Sequence, residues 1–232
     1  MKIGILCAGD REFAPFISCI KECKITEKAI LKFYESRISN VDVVALFSGV
    51  CKVNAAIATQ ILIDTFQVDA IINAGTAGGM DKRLNLFDVA VSTEVAYHDV
   101  VPHILTEFHP WMDSIYFQAD ADLLALVKSA VRKLGIENTV FYGCMVTGET
   151  FISDDDREYI NERFAPLTVD METASIAHVC YANNIPFISI RCITDTADHS
   201  GTGNFEENCE KASLIVKDIT VAVLEEINEQ SI

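Results

Sequence analysis

Short apolar runs alternate with longer periodic stretches along the chain. Residues 2–8 are an apolar run that predicts a first strand, and Gly9-Asp10 turn it into a helix carried to about Cys23. Residues 29–38 and 41–48, split by Ser39-Asn40, predict a hairpin closed by Ser48-Gly49-Val50. The next helix has Val53, Ile57 and Ile61 assigned to one side. Asp69 to Gly79 is a buried strand running into a glycine-rich turn, and residues 88–98 are another strand that ends at Tyr97-His98-Asp99. Val100 to Phe117, with Pro102, Pro110 and several aromatics, has no clean period. It is assigned as a long ordered loop, of a length that in compact domains is often functional or interfacial.

In the second half, a helix from Ala121 to Leu134 carries the stripe Leu124, Val127, Val131 and Leu134 and stops at Gly135. A strand follows over Thr139 to Val146, closed by Thr147 to Ile152, with Ser153 as cap of an acidic helix Asp154 to Phe164. Residues 167–194 form a βαβ unit, and Phe205 to Glu229 a terminal helix with Ile215, Ile219, Val223 and Ile227 in register. No repeat, low-complexity tract or linker interrupts the pattern. Residues 1–232 are therefore one α/β domain, with a largely parallel or mixed sheet and helices on both faces.

Polar and glycine-rich features fall at the predicted strand ends: Asp10–Glu12, Gly75–Gly79, Thr147–Ile152, Asp170–Glu172 and Thr194–Asp195, the last preceded by Arg191. Open α/β sheets bind ligands beyond the carboxyl ends of their strands. The clustering implies one cleft that holds a small polar molecule beside an apolar wall. Each feature also has a plainer reading alone. Glu12 suits a helix N-terminus, the glycines make a tight turn, and Asp170 and Glu172 cap a helix. Asp195 bonds backbone amides, Arg191 pairs with a carboxylate, and Met171, Phe151, His178 and Trp111 pack. Gly75–Gly79 lacks a P-loop lysine and does not match the dinucleotide fingerprint. No Ser/His/Asp order or catalytic cysteine setting is evident, which leaves carboxylate acid–base chemistry in a small-molecule hydrolase or transferase.

Composition narrows the classes. Among 232 residues half are hydrophobic and 22% charged, enough for a sizeable core, and the formal net charge is −16. That charge argues against general affinity for nucleic acid or anionic membranes, while leaving a small anionic ligand possible. No apolar run reaches the ~18 residues of a membrane span. The N-terminal run is short and meets Asp10, Arg11 and Glu12 at once, so it is a strand rather than a signal peptide. Eight dispersed cysteines without a CxxC pair, and five dispersed histidines, complete no metal set. A cytoplasmic chain without metal or cofactor is expected.

Several blocks carry a family likeness in joint order and spacing. They are Met-Lys-Ile-Gly-Ile with Glu12, the block Ser48-Gly-Val-Cys-Lys-Val-Asn-Ala-Ala, and Ile72-Asn-Ala-Gly-Thr-Ala-Gly-Gly. Tyr97-His98-Asp99, Gly148-Glu-Thr-Phe-Ile, Asp170-Met-Glu-Thr-Ala-Ser-Ile-Ala-His-Val-Cys and Arg191-Cys-Ile-Thr-Asp-Thr-Ala-Asp follow. From end to end the chain resembles the 5′-methylthioadenosine/S-adenosylhomocysteine nucleosidases of the nucleoside phosphorylase/hydrolase superfamily.

The resemblance implies a nucleoside phosphorylase-like single domain that uses water to cleave the N-glycosidic bond of adenine thionucleosides, in methionine salvage, as a homodimer. It implies Asp195 as the acid that protonates adenine N7, Glu12 as the base acting on water, and Arg191 as a partner that positions that water. By the same resemblance Glu172 and Met171 hold the ribose, Phe151 stacks on the purine with the Ile152 backbone at its edge, and Thr76, Ala77 and Gly78 lie close to ribose and base. Phe205, Val50 and a loop including Pro102–Phe108, supplied by a second subunit, cover the 5′ substituent. The sequence departs from the family pattern in Gly-Asp-Arg-Glu at the first helix, in Thr76 for serine and in Asp170 for glutamate. Three competing readings stand beside this one. They are a phosphorolytic nucleoside phosphorylase, a futalosine hydrolase and a non-catalytic adenosine-ligand sensor.

Overall fold

The computed structural model describes residues 1–108, 111–152, 154–197 and 202–230. Strands β1 (Lys2–Cys7), β4 (Val41–Phe47), β5 (Ala70–Gly79) and β10 (Phe187–Asp195) run parallel and form the half of the sheet on which the helices converge. Strands β6 (Val89–Tyr97), β8 (Val140–Thr147) and the short β9 (Thr168–Asp170) run the other way. The order is β10-β6-β8-β9-β5-β1-β4-β3-β2, with β10 pairing again to β5, so five of the strands close into a ring. β2 (Lys24–Lys28) and β3 (Leu31–Ile38) finish the open edge, and β7 (Tyr116–Gln118) pairs with β6. The sheet is thus mixed and flanked by helices, as the alternating pattern predicts.

Alternation along the central strands sorts the core into two layers, because successive side chains point to opposite faces. Ile3, Ile5 and Cys7 of β1, with Ile72 and Ala74 of β5, face α1 (Asp10–Ile17), α4 (Ala121–Leu134) and the terminal helix α7 (Thr202–Gln230). Leu6 and Ile71 face α2 (Lys52–Asp64) and α6 (Thr173–Asn183). The remaining helices are α3 (Pro102–Glu107) and α5 (Asp154–Phe164).

Several expectations are corrected. α1 stops at Ile17 rather than Cys23: Pro15 removes an amide from the helix ladder, and Ser18 Oγ donates to the Pro15 carbonyl at 2.8 Å. The freed residues lead into β2, whose Lys-Ile-Thr-Glu-Lys sequence carries the charges that protect a sheet edge. α2 buries Ala55, Ala58, Thr59 and Leu62, while Val53 is 69% and Ile57 44% exposed. The helix is apolar nearly all round, so period could not choose its face, and its small residues are the ones that fit against α6. On α4 the buried stripe is Leu123, Leu126, Val127, Ala130 and Val131, and Leu134 lies exposed. The segment 100–117 holds α3 and the start of β7 rather than loop alone. β9 and β10 of the expected βαβ unit are not neighbours, because β5 pairs with both. The proposed Ser153 cap lies outside the described residues.

Asp120 caps α4, its Oδ1 accepting from Asp122 N–H at 3.0 Å and Leu123 N–H at 2.9 Å, and Gly135 ends the helix at φ +67°. Asp120→Ala should lower unfolding stability by about 1 kcal/mol. Urea denaturation monitored by circular dichroism checks this; an unchanged midpoint would refute the cap's contribution.

Candidate active site

The site is built where β1, β5 and β10 end side by side. Glu12 sits in the first turn of α1, and each of its oxygens has a task. Oε2 accepts from the Ala8 and Gly9 amides at 2.8 and 3.0 Å, which ties it to the end of β1. Oε1 accepts from the Thr76 amide at 2.6 Å and the Thr76 hydroxyl at 2.8 Å, which ties it to β5. Gly75 permits this approach: a Cβ there would stand 2.6 Å from Glu12 Oε1 and 2.5 Å from Arg191 Nη1.

Arg191, on β10, is wholly buried. Its Nη2 donates to Asn73 Oδ1 and Thr173 Oγ1, both at 2.8 Å, and its Nη1 to the Thr76 carbonyl at 3.2 Å. Around it stand Asp170 at 3.3 Å, Glu12 at 3.8 Å and Glu172 at 3.9 Å. Burial alone would lower the guanidinium pKa, but the Asp170, Glu12 and Glu172 charges raise it instead. Three buried carboxylates share one cation, and the excess falls on Glu172. Burial first, then the Asp170 charge, push the Glu172 carboxyl well above the usual range, despite the pull of Arg191 and of the Cys51 amide that donates to Oε1 at 2.9 Å. Cys51 reaches that carboxylate with φ +81° and ψ 162°, a region that non-glycine residues adopt only under strain.

Asp170 holds the structure around the site. Its Oδ1 accepts from Thr147 Oγ1 at 2.6 Å and from the Glu172 and Thr173 amides at 3.1 and 3.0 Å, while Oδ2 takes the Thr173 hydroxyl. The cap reading of Asp170 is therefore the observed one. Glu172 stands at the N-cap of α6 without a side-chain capping bond.

At the other end Asp195 is buried, its Oδ1 accepting from Thr194 Oγ1 at 3.0 Å. Burial raises its carboxyl pKa, against the Thr194 hydrogen bond and the Arg157 charge. A Cβ at Gly78 would meet Asp195 Oδ2 at 2.9 Å, so this glycine too is required by close approach. Between the ends lies a cavity of about 440 Å³ lined by Glu12, Val50, Thr76, Ala77, Gly78, Phe151, Ile152, Met171, Glu172, Asp195 and Phe205. Every predicted site residue is there except Arg191, which lies behind Glu12 and does not reach the cavity. The segment Pro102–Phe108 is also absent from this wall.

The sequence reading missed Arg157, a cavity residue on α5 whose Nη1 donates to the Gly79 carbonyl at 2.6 Å. An arginine in the first turn of an acidic helix, directly after three aspartates, was the available signal. It also missed Asn73 as a hub: Nδ2 donates to the Leu6 carbonyl at 2.9 Å, while Oδ1 accepts from Arg191 and Ser189 and lies 2.9 Å from Thr173 Oγ1. The motifs Tyr97-His98-Asp99 and Gly148-Glu149 meet in space. Asp99 accepts from the Glu149 amide at 3.0 Å and from Lys52 Nζ at 2.8 Å, which fixes the turn that presents Phe151.

The sequence model of the phosphorylase superfamily matches residues 2–225. A 5′-methylthioadenosine/S-adenosylhomocysteine nucleosidase from an Exiguobacterium species is 39% identical over 99% of this chain and all of its own length. The enzyme of that name from S. pneumoniae, solved with the transition-state inhibitor MT-ImmA, superposes with a TM-score of 0.89 at 28% identity, over 98% of this chain and 100% of that one. The one from Colwellia psychrerythraea, in complex with adenine, gives 0.87 at 33%, over 97% and 95%. With the likeness running over nearly the whole chain in both sequence and fold, the chain belongs to the 5′-methylthioadenosine/S-adenosylhomocysteine nucleosidase family of the phosphorylase superfamily.

Proposed function

We propose that the protein hydrolyses the N-glycosidic bond of 5′-methylthioadenosine and S-adenosylhomocysteine, releasing adenine and the 5-substituted ribose. The observation that carries this reading is one cavity with a tethered carboxylate, Glu12, at its middle and a carboxyl whose pKa is raised by burial, Asp195, at its end. Adenine leaves poorly as an anion, so Asp195 gives a proton to N7 as the bond lengthens. The ribosyl group gains positive charge, and Glu12 holds and deprotonates the attacking water on the opposite face. Arg191 acts through Glu12, as a positioning residue.

Glu172 accepts from the ribose hydroxyls, and Met171 lines the sugar. Phe151, 45% exposed on the cavity wall, offers an open ring face for the purine, and the Ile152 backbone meets its edge. Val50 and Phe205 cover the 5′ sulfur. No resident cofactor takes part in this chemistry.

Phosphorolysis is disfavoured by the charge at the same place. Phosphate would have to approach Glu12 and Glu172, while Arg191 is already held by Asn73, Thr173 and three carboxylates. The exposed apolar residues Val53, Ile57, Val101, Ile104 and Phe108 support a homodimer, with Pro102–Phe108 completing the partner's 5′ pocket. Among the described residues no helix is long and apolar enough to cross a membrane, and all eight cysteines are free thiols, in keeping with a reducing cytoplasm.

Purified protein should release adenine from 5′-methylthioadenosine without added phosphate; a rate that requires phosphate would overturn the hydrolase reading. Glu12→Gln and Asp195→Asn should each lower kcat by at least ~10²-fold, and a near-normal rate in either would remove that residue from the mechanism. Because burial raises the Asp195 pKa, the acid form persists above the ordinary aspartate range and activity falls as pH rises through the raised value. The alkaline limb of kcat should therefore vanish from the residual rate of Asp195→Asn, and its persistence would assign that limb to another group.

A further inference from the structure

The cavity continues past Glu12. The strands beneath it run β10, β5, β1, β4, so at about 4.8 Å per neighbour the floor from Asp195 to Val50 spans roughly 14 Å. The reaction proposed above sets the substrate's direction on that floor: adenine at Asp195, ribose over Glu12 and Glu172, the 5′ group beyond. There the wall is made by Gly9, Asp10, Arg11, Val50, Phe205 and Glu206. Val50 and Phe205 suffice for a methylthio group, which gives a charged side chain nothing to bind. Yet this end carries charges of both signs, Arg11 with Asp10 and Glu206.

Arg11 stands exposed on the second residue of α1, and its backbone amide, not its guanidinium, bonds Asp10 Oδ1 at 2.8 Å. Among the described residues its side chain makes no ion pair and no hydrogen bond. Glu206 lines the same cavity, on the first turns of α7, three residues before Cys209 and so on the same helix face. Cys209 lines the same wall and sits in the field of α1. Burial and Glu12 raise its thiol pKa, the Ser213 hydrogen bond and Arg11 lower it, and Asp10 raises it. α1 and α7 pack together, and Arg11 and Glu206 both line the cavity where they meet.

We propose that Arg11 and Glu206 form a subsite for an α-amino-acid tail on the substrate's 5′ sulfur, Arg11 taking the α-carboxylate and Glu206 the α-ammonium. The inference rests on the nucleosidase reading and deepens it, by making the homocysteinyl thionucleosides a class the site selects. The planar guanidinium matches a carboxylate with two parallel hydrogen bonds, which an ammonium could not do. Two charges of opposite sign on one carbon then meet two of opposite sign across the opening. Water screens both pairs, so the gain is on the order of tenfold rather than the thousandfold of a buried pair. It is binding common to ground and transition states and is felt in KM.

Steady-state rates with S-adenosylhomocysteine and 5′-methylthioadenosine, in wild type, Arg11→Ala, Arg11→Glu and Glu206→Gln, test it. Arg11→Ala should lower the kcat/KM ratio of the first substrate over the second about threefold through KM, and Arg11→Glu should lower it further. The analogue with a 3-aminopropylthio tail, which lacks the carboxylate, should respond to Glu206→Gln and not to Arg11→Ala. Equal losses on both substrates, or an unchanged ratio, would overturn the subsite. Calorimetric binding of S-adenosylhomocysteine to Asp195→Asn protein, with and without Arg11→Ala, separates the two readings. Arg11-dependent binding in a protein that shows no wild-type turnover would sink the hydrolase reading and keep the subsite. Binding that ignores Arg11 sinks the subsite alone.

Discussion

A guanidinium with no solvent contact, surrounded by three carboxylates, is expensive to bury unless every donor is satisfied. Arg191 has a partner at each of its three nitrogens, through Asn73, Thr173 and the Thr76 carbonyl, with Asp170, Glu12 and Glu172 within 3.9 Å. The cluster joins pieces from β1, β5, β9 and β10, so removing one partner would leave an uncompensated charge in the middle of the sheet. Glu12, which lines the cavity, is tied by backbone amides and the Thr76 hydroxyl and has Arg191 behind it at 3.8 Å.

The same cluster explains the polar residues inside otherwise apolar strands. Asn73 and Ser189 are fully buried because Arg191 and Thr173 need acceptors and donors at those depths. It also explains where local rules are broken. Cys51 holds a strained backbone to give an amide to Glu172, and Gly75 and Gly78 are glycines because carboxylates or the guanidinium occupy the space a side chain would fill. Local conflict of this kind concentrates at functional sites, where the surrounding structure over-determines it.

Elements with one strong pattern were legible directly. β1, α4 with its Gly135 stop, and the Ser39-Asn40 hairpin carry their signals within a few residues. Elements whose identity depends on a neighbour were not. α2 is apolar on all sides, and only α6 decides that Ala55 and Ala58 face inward; β2 has hardly any apolar residue and exists because β3 offers it an edge. Pro15 ended α1 early through a lost hydrogen bond that a hydrophobic pattern does not register.

The site divides in the same way. The sequence by itself determined which residue types stand at strand ends, because strand, turn and helix starts are local events: Glu12, Gly75–Gly79, Asp170–Glu172 and Asp195 were all found there. Only the tertiary structure decided their work. It put Arg191 behind Glu12 rather than beside the cavity, made Asp170 a cap, and brought in Arg157 from an acidic helix far along the chain. Burial and charge–charge distance set those roles, and neither is a property of any residue until the strands that carry it are brought together.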